Sequence, residues 1–345
     1  MSRAPLTGRL RADVTAADEA TQRAPAAIVR SKRSIAGEHL SQNVAYLAFL
    51  LLVGVFWIAG GSTFMSSRNW ELILEQVPLL AMVACGMTFA ITAGYIDLSV
   101  GSTVGLAALL GAMGFNQFGP IGLVACVGIG VAVGLANGII FAYLRIPSFV
   151  VTLAAQVIVR AVVNMVSGGF AVYVGSVNNP TTVLSSYGNW PQVLFILAAF
   201  VGLLWVVYNK TVFGQNLKAL GGNEAVCRLF GVKVELMKIK VFMLVGAIAG
   251  CAAIISLADT GASGPTTGTG LELQAIAAVV LGGTPLTGAR GSMLKTVVGA
   301  LTLTMLADGL VIAGVGPNWN DVAQGALLIT AIAIAIERKK IGVVK

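Results

Sequence analysis

Three charged residues stand inside long apolar stretches of this sequence: Asp97 in TAGYIDLSVGS, Arg160 in VIVRAVV and Asp308 in MLADGL. A charge in hydrocarbon is expensive, and where it occurs it marks a conduction path, a binding site or a buried pair. Asp97, at a turn before an apolar run, has two roles open to it. As a helix cap it would accept from the backbone N–H of Ser99 or Val100; as a protonatable group in a pathway it would couple transport to a cation gradient. Arg160 is expected either to pair with an acid on another helix or to snorkel. Asp308, near the end of its run, is expected at the water-facing margin. Other chemistry is missing. GARGSMLKT lacks the glycine that a phosphate-binding loop places before its lysine, since Leu294 precedes Lys295, so the chain is not expected to bind ATP itself. Neither G-x-S-x-G nor H-E-x-x-H occurs, and His39 has no second histidine with which to share a metal. Cys85, Cys126, Cys227 and Cys251 form no C-x-x-C pair, and three of them lie in apolar runs as small packing residues. No catalytic residue, metal or cofactor is therefore expected.

The elements that must position these charges are membrane helices. The chain has 345 residues, 57% of them hydrophobic and only 10% charged, with a mean hydropathy of +0.88. A soluble domain carries charge on about a quarter of its residues, so this is an all-α polytopic membrane protein. Apolar runs predict ten spans, near residues 44–60, 72–93, 101–115, 121–143, 149–166, 193–208, 241–257, 271–283, 293–313 and 319–336. The eighth, 13 residues long, reaches only about 20 Å at 1.5 Å per residue and must extend upstream, tilt or be broken. Residues 1–43 form a polar arm and 337–345 a basic tail. The net charge of +8 follows topology rather than nucleic acid: of 22 Lys and Arg, Arg68 alone falls in an outer loop and Arg160 in a span, leaving 20 for the inner side. Both termini are thus expected in the cytoplasm.

Between two apolar halves, 44–208 and 241–336, lies a polar island at 209–240, NKTVFGQNLKALGGNEAVCRLFGVKVELMKIK. Lys210, Lys218, Arg228, Lys233, Lys238 and Lys240 outnumber Glu224 and Glu235, which places the island in the cytoplasm. Its centre, GGNEAVCRLFGV, predicts a short helix with Asn223 as N-cap, Glu224 in the first turn, Arg228 at i+4 and Gly231 as the stop. Such a knob suits docking of a cytoplasmic partner. The glycines of GIGVAVG, at Gly128, Gly130 and Gly134, read as a packing face. AGYIDLSVGSTVGLAALLGA and GGTPLTGARGSMLKTVVGAL form a faint repeat in which Gly101-Ser102 and Gly291-Ser292 open outgoing helices. Paired interruptions in two halves point to a transport pathway. Its candidates are Gly94, Asp97 and Ser99 in the first half and Gly283, Thr284 and Thr287 in the second.

GMTFAITAGYIDLSVGSTVGLAALLGA, GQNLKALGGNEAVCRLFGVKVELMKIKVFMLVGAIAG and GPTTGTGLELQAIAAVVLGGTPLTGARGSMLKTVVGALTL resemble, in the same order, the ribose-type permease family of bacterial ABC importers. The resemblance runs over residues 72–336. It implies an inner-membrane subunit that dimerises with a second permease, pairs with a cytoplasmic ABC ATPase and receives a monosaccharide or small polyol from a periplasmic binding protein. It also places the ATPase-contacting loop on Gly221, Gly222, Asn223, Glu224, Ala225, Arg228 and Gly231. Pro285 and Ala289 depart from the Ser and Gly usual in that family. The rival expectation is a gradient-driven transporter that uses Asp97 or Asp308.

Overall fold

The computed structural model describes residues 32–176, 179–180 and 188–316, with a few positions between 319 and 330, and their side chains from Ala45 onward except at 176, 179 and 180. Two compact units divide the chain, Met1–Leu40 and Ser41–Lys345, and the second contains the membrane bundle. In chain order the elements are α1 (Lys32–Phe64), α2 (Ser67–Thr92), α3 (Val100–Phe118), α4 (Val124–Leu144), α5 (Ser148–Ser167), β1 (Val172–Tyr173), β2 (Gly175–Ser176) and β3 (Asn179–Pro180). They continue with α6 (Gln192–Lys210), α7 (Val212–Gly222), α8 (Glu224–Leu229), α9 (Val234–Thr260), β4 (Ala262–Ser263), α10 (Leu271–Leu281) and α11 (Met293–Ile312).

Seven stretches among the described residues are long and apolar enough to cross a membrane. One of them, Val100–Leu144, contains two helices, α3 and α4, joined by a 3-10 turn at Gly119–Leu123. With the short α10, these helices account for the first nine expected spans. The tenth lies largely outside the described residues, as do residues 1–31 of the polar arm and the basic tail. The eighth span proves broken: α10 has 11 residues, about 16 Å of rise. Upstream of it β4 pairs antiparallel with β1, Val172 opposite Ser263 and Tyr173 opposite Ala262, and the chain reaches α10 through a non-helical segment. The seventh span is longer than expected, because α9 starts at Val234 inside the polar island.

α2 and α9 are the most enclosed of the long helices, and the rest of the bundle is arranged on them. α4 reaches α9 through small residues. A side chain at Gly130 would strike the backbone of Gly246, and one at Gly134 the backbone of Phe242, so the two helices pack backbone to backbone. Gly128 is different. It faces open space, because 3.6-residue periodicity carries it off the seam that Gly130 and Gly134 share.

Candidate functional site

The repeat is visible as two interrupted helix pairs, α2–α3 and α10–α11, whose incoming helices end alike. At the end of α2, Gly94 N–H donates to Ile91 O at 2.9 Å and Tyr95 N–H to Ala90 O at 2.9 Å. At the end of α10, Gly283 N–H donates to Val280 O at 2.8 Å and Thr284 N–H to Val279 O at 3.2 Å. Both are Schellman caps, with glycine in the left-handed region at φ 82° for Gly94 and 80° for Gly283. The Gly-Ser pairs do not match as expected: Ser292 is the N-cap of α11, accepting from Lys295 N–H, whereas Ser102 lies inside α3, whose N-cap position is Ser99.

After the first cap the chain runs non-helically through the interior, where every backbone N–H needs a partner. Side chains supply them. Ser148 Oγ accepts from Ile96 N–H at 3.2 Å, and Thr152 Oγ1 from Leu98 N–H at 3.0 Å. Asp97, 2% exposed, accepts from Ser99 N–H at 2.9 Å and from Ser99 Oγ at 2.6 Å, and Asn137 of α4 donates to Ser99 Oγ at 2.9 Å. Asp97 thus closes a turn just ahead of α3 instead of capping it. The second break lies against the first: Ala289 N–H donates to Thr92 O at 2.8 Å. Ala289 itself has φ 69°, a left-handed conformation that glycine adopts without strain. Gly221, at the end of α7, touches both breaks, since a side chain there would collide with Thr92 O and Ala289 N. Of the pathway candidates, Asp97, Ser99 and Thr284 are buried, whereas Gly94, Gly283 and Thr287 are exposed.

The island folds into α7 and α8. Asn223 accepts from Val226 N–H at 3.1 Å, and Gly231, at φ 81°, follows the end of α8. Glu224 accepts from Arg228 at 3.0 Å and from Lys238 of α9 at 2.9 Å, while Arg228 also meets Glu235 at 2.6 Å. Burial alone would raise the Glu224 carboxyl, but hydrogen bonds from Lys238 and Arg228 hold it below its ordinary value. Those same carboxylates push Arg228 further toward its charged form. Cys227 is the buried residue of α8. Lys238 Nζ lies 4.8 Å from the Phe141 ring centroid, and Phe141 packs on Tyr95 at 4.7 Å, so the brace adjoins the first break. Leu229 and Phe230, at the tip, are 86% and 84% exposed. Glycines Gly222 and Gly231 and the small Ala225 leave the tip's shape to these two side chains.

Arg160 does not meet the acid expected for it directly. Its Nη1 donates to Pro265 O at 2.9 Å and Thr267 O at 2.7 Å, gripping the segment ahead of α10. The nearby acid is Glu272, 6% exposed, whose Oε1 accepts from Gln156 at 2.7 Å. Sequence reasoning passed over Glu272 because it opens the eighth apolar run; an acid one residue into a run already too short to span was the available signal. Asp308 accepts from Asn69 of α2 at 3.0 Å.

A family model described as branched-chain amino acid transport system / permease component matches residues 69–332. Ribose import permease protein RbsC of Escherichia coli (strain K12) is 33% identical over 319 residues, covering 90% of this chain and 98% of that protein. The galactose/methyl galactoside import permease protein MglC of Haemophilus influenzae is 30% identical, over 86% of this chain and 94% of its own. Autoinducer 2 import system permease protein LsrC of Salmonella paratyphi B is 32% identical, over 84% and 85% respectively. No solved structure matches. With most of its helices, both breaks and the island inside the matched region, this multi-pass membrane protein belongs to the branched-chain amino acid transport system / permease component family.

Proposed function

We propose that this chain is the transmembrane permease subunit of an ATP-driven ABC importer that brings a monosaccharide or a related small polyol into the cell. ATP is hydrolysed on a separate cytoplasmic subunit, a periplasmic binding protein delivers the sugar, and a second permease, most simply another copy, completes the path. The observation that carries this reading is nearly end-to-end similarity to import permeases named for ribose and galactose. The family's amino-acid description is the weaker guide, because the relatives with the fuller coverage are named for ribose, galactose and autoinducer 2.

The island's part is docking. Gly221, Gly222, Asn223, Glu224, Ala225, Arg228 and Gly231 build the knob, and the ion-paired Glu224 and Arg228 hold its shape, leaving Leu229 and Phe230 to enter a groove on the ATPase. Gly94, Asp97, Ser99, Gly283, Thr284 and Thr287 belong to the two breaks that docking moves. Asp97 and Asp308 have structural partners in Ser99 and Asn69, which suits the importer better than gradient coupling. Both termini and the island lie in the cytoplasm, so reporter fusions after Tyr208 and at Lys345 read inside and a fusion after Tyr187 reads outside. The deciding measurement is uptake of labelled D-ribose, D-galactose and D-xylose by the assembled importer. Uptake that needs ATP and survives collapse of the proton gradient supports the reading; uptake that survives ATP depletion and is lost on collapse removes it.

A further inference from the structure

Gln156 meets Glu272 where a short helix begins inside the bundle, and Arg160 grips the segment just ahead of that helix. α5 carries Gln156 and Arg160 one turn apart, both half-exposed on the surface of the chain. Leu153 and Val157 beside them are 49% and 65% exposed, so this side of α5 looks outward from the bundle. Glu272 stands in the first turn of α10, whose 11 residues place it about 16 Å from the second break, deep within the apolar layer. Half-helix N-termini at that depth are where transporters hold polar cargo.

Two features are not explained by a structural brace. Glu272 uses Oε1 for Gln156, but its Oε2 is fully buried and has no hydrogen-bond partner among the described residues. That oxygen is pressed against α3 at Gly101, where a Cβ would collide with it. A carboxylate oxygen without a donor disfavours this closed arrangement and is relieved when a donor reaches it. Secondly, Arg160 spends only Nη1 on the carbonyls of Pro265 and Thr267, and its Nε and Nη2 make no hydrogen bond to the described residues. A half-exposed guanidinium at this depth faces water or protein, not lipid.

We propose that Gln156, Arg160 and Glu272 form the polar wall of the substrate path, completed by the facing surface of a second copy of the chain, and that Glu272 accepts hydrogen bonds from the hydroxyls of a passing sugar as α3 and α10 part. The assignment rests on the importer reading for the identity of the cargo, but not for the water-lined wall. A polyhydroxylated solute suits the chemistry: the carboxylate accepts from hydroxyl donors, while the amide and guanidinium donate to hydroxyl and ring oxygens. Gly101 is then the small residue that lets the empty path close.

Two measurements on the full importer in native membranes test this. The first is thiol labelling by a charged, membrane-impermeant methanethiosulfonate reagent, with the wild type and its four native cysteines as baseline. Gln156→Cys is expected to label roughly tenfold faster than Ile158→Cys, which is 63% exposed on the opposite side of α5, because the first faces water and the second lipid. Equal rates would overturn the wall. The second is uptake of D-ribose, D-galactose and D-xylose by Glu272→Gln at matched membrane abundance. Glutamine keeps an oxygen for Gln156 but puts an amide N–H₂ or a weaker acceptor where Oε2 stood. A passive brace predicts wild-type uptake, whereas substrate contact predicts a loss of about tenfold with binding-protein-stimulated ATPase activity retained. Unchanged uptake removes the substrate contact. If the wild type imports none of the three sugars, the importer reading for them fails, and the labelling ratio alone decides whether the wall is water-lined.

Discussion

The two breaks end their incoming helices with the same glycine cap and then diverge. After Gly94 the chain is enclosed, and α4 and α5 hold it through Ser148, Thr152 and Asn137 while Asp97 and Ser99 hold each other. After Gly283 the chain is largely exposed, leans on the first break through the backbone bond from Ala289 to Thr92, and contains a left-handed alanine. Tyr95 and Thr284, at the same place in the two caps, each keep a buried hydroxyl with no hydrogen-bond partner among the described residues. The first break is therefore fixed by its own neighbours and the second by the first break and the knob. Movement of α7 reaches both breaks at once, because Gly221 lies against Thr92 O and Ala289 N together.

The largest effect should come from Gly221, the residue that touches both. Gly221→Val forces a branched side chain against Thr92 O and Ala289 N, and overpacking of this kind costs about 3 kcal/mol. The expected result is a clear fall in thermal unfolding midpoint in detergent together with loss of ATP-driven uptake; normal values for both would mean that the junction is looser than drawn. Thr152→Val comes next and sharpens the contrast between the breaks. It removes the acceptor for Leu98 N–H at similar volume, for a cost of about 2 kcal/mol, whereas Thr287→Val, on the exposed second break, should leave the stability within about 0.5 kcal/mol of wild type. Equal losses at the two positions would erase the difference.

Much of this could be read from the chain. Hydropathy located the helices, and Asn223, Glu224 and Gly231 located α8, because cap chemistry is local. The pairing of residues far apart in sequence was not legible. Nothing near Asp97 announces that Thr152 and Ser148 will bond the backbone beside it, and neither an acid partner nor snorkelling, the two expectations for Arg160, foretells that it caps carbonyls of a segment over a hundred residues away. Of the letters that carry the repeat, the glycines Gly94 and Gly283 prove equivalent in conformation and the Gly-Ser pairs do not, a distinction that letters do not display. Gly128 shows the same limit, since three glycines in a run are alike on paper and only two face α9.

A smaller effect is expected at the brace of the knob. Glu224 is partly exposed, so its pairs with Arg228 and Lys238 are screened, and Glu224→Gln should cost about 0.5–1 kcal/mol. Because its folded-state pKa is depressed, this stability is present above the ordinary value of 4.5 and is lost as pH falls through the lower folded value. Proteolytic susceptibility of the island, measured from pH 8 downward, should stay flat through neutrality and rise only in acid. A rise centred near pH 7 would assign the change to another group. Within the comparison, this variant should affect ATPase co-purification more than the midpoint, since it loosens the knob and leaves the first break's side-chain bonds intact.

The smallest effect separates strain that is incidental from strain that the second break uses. Ala289 holds φ 69°, where a Cβ crowds the backbone, and the first break has no non-glycine residue in that region. Ala289→Gly relieves the crowding but loosens the unfolded chain, so the net gain is about 0.5 kcal/mol, a shift of a degree or two in midpoint. Its sign is informative. A positive shift with unchanged uptake means that the alanine is merely tolerated by a turn pinned to Thr92. A positive shift with slower uptake means that the strained turn is poised to leave Thr92 when the knob moves, and that relaxing it deepens the resting state. A negative shift would show that the methyl group packs against its surroundings more favourably than the backbone resists. The second break would then be held by side-chain contact after all, as the first is.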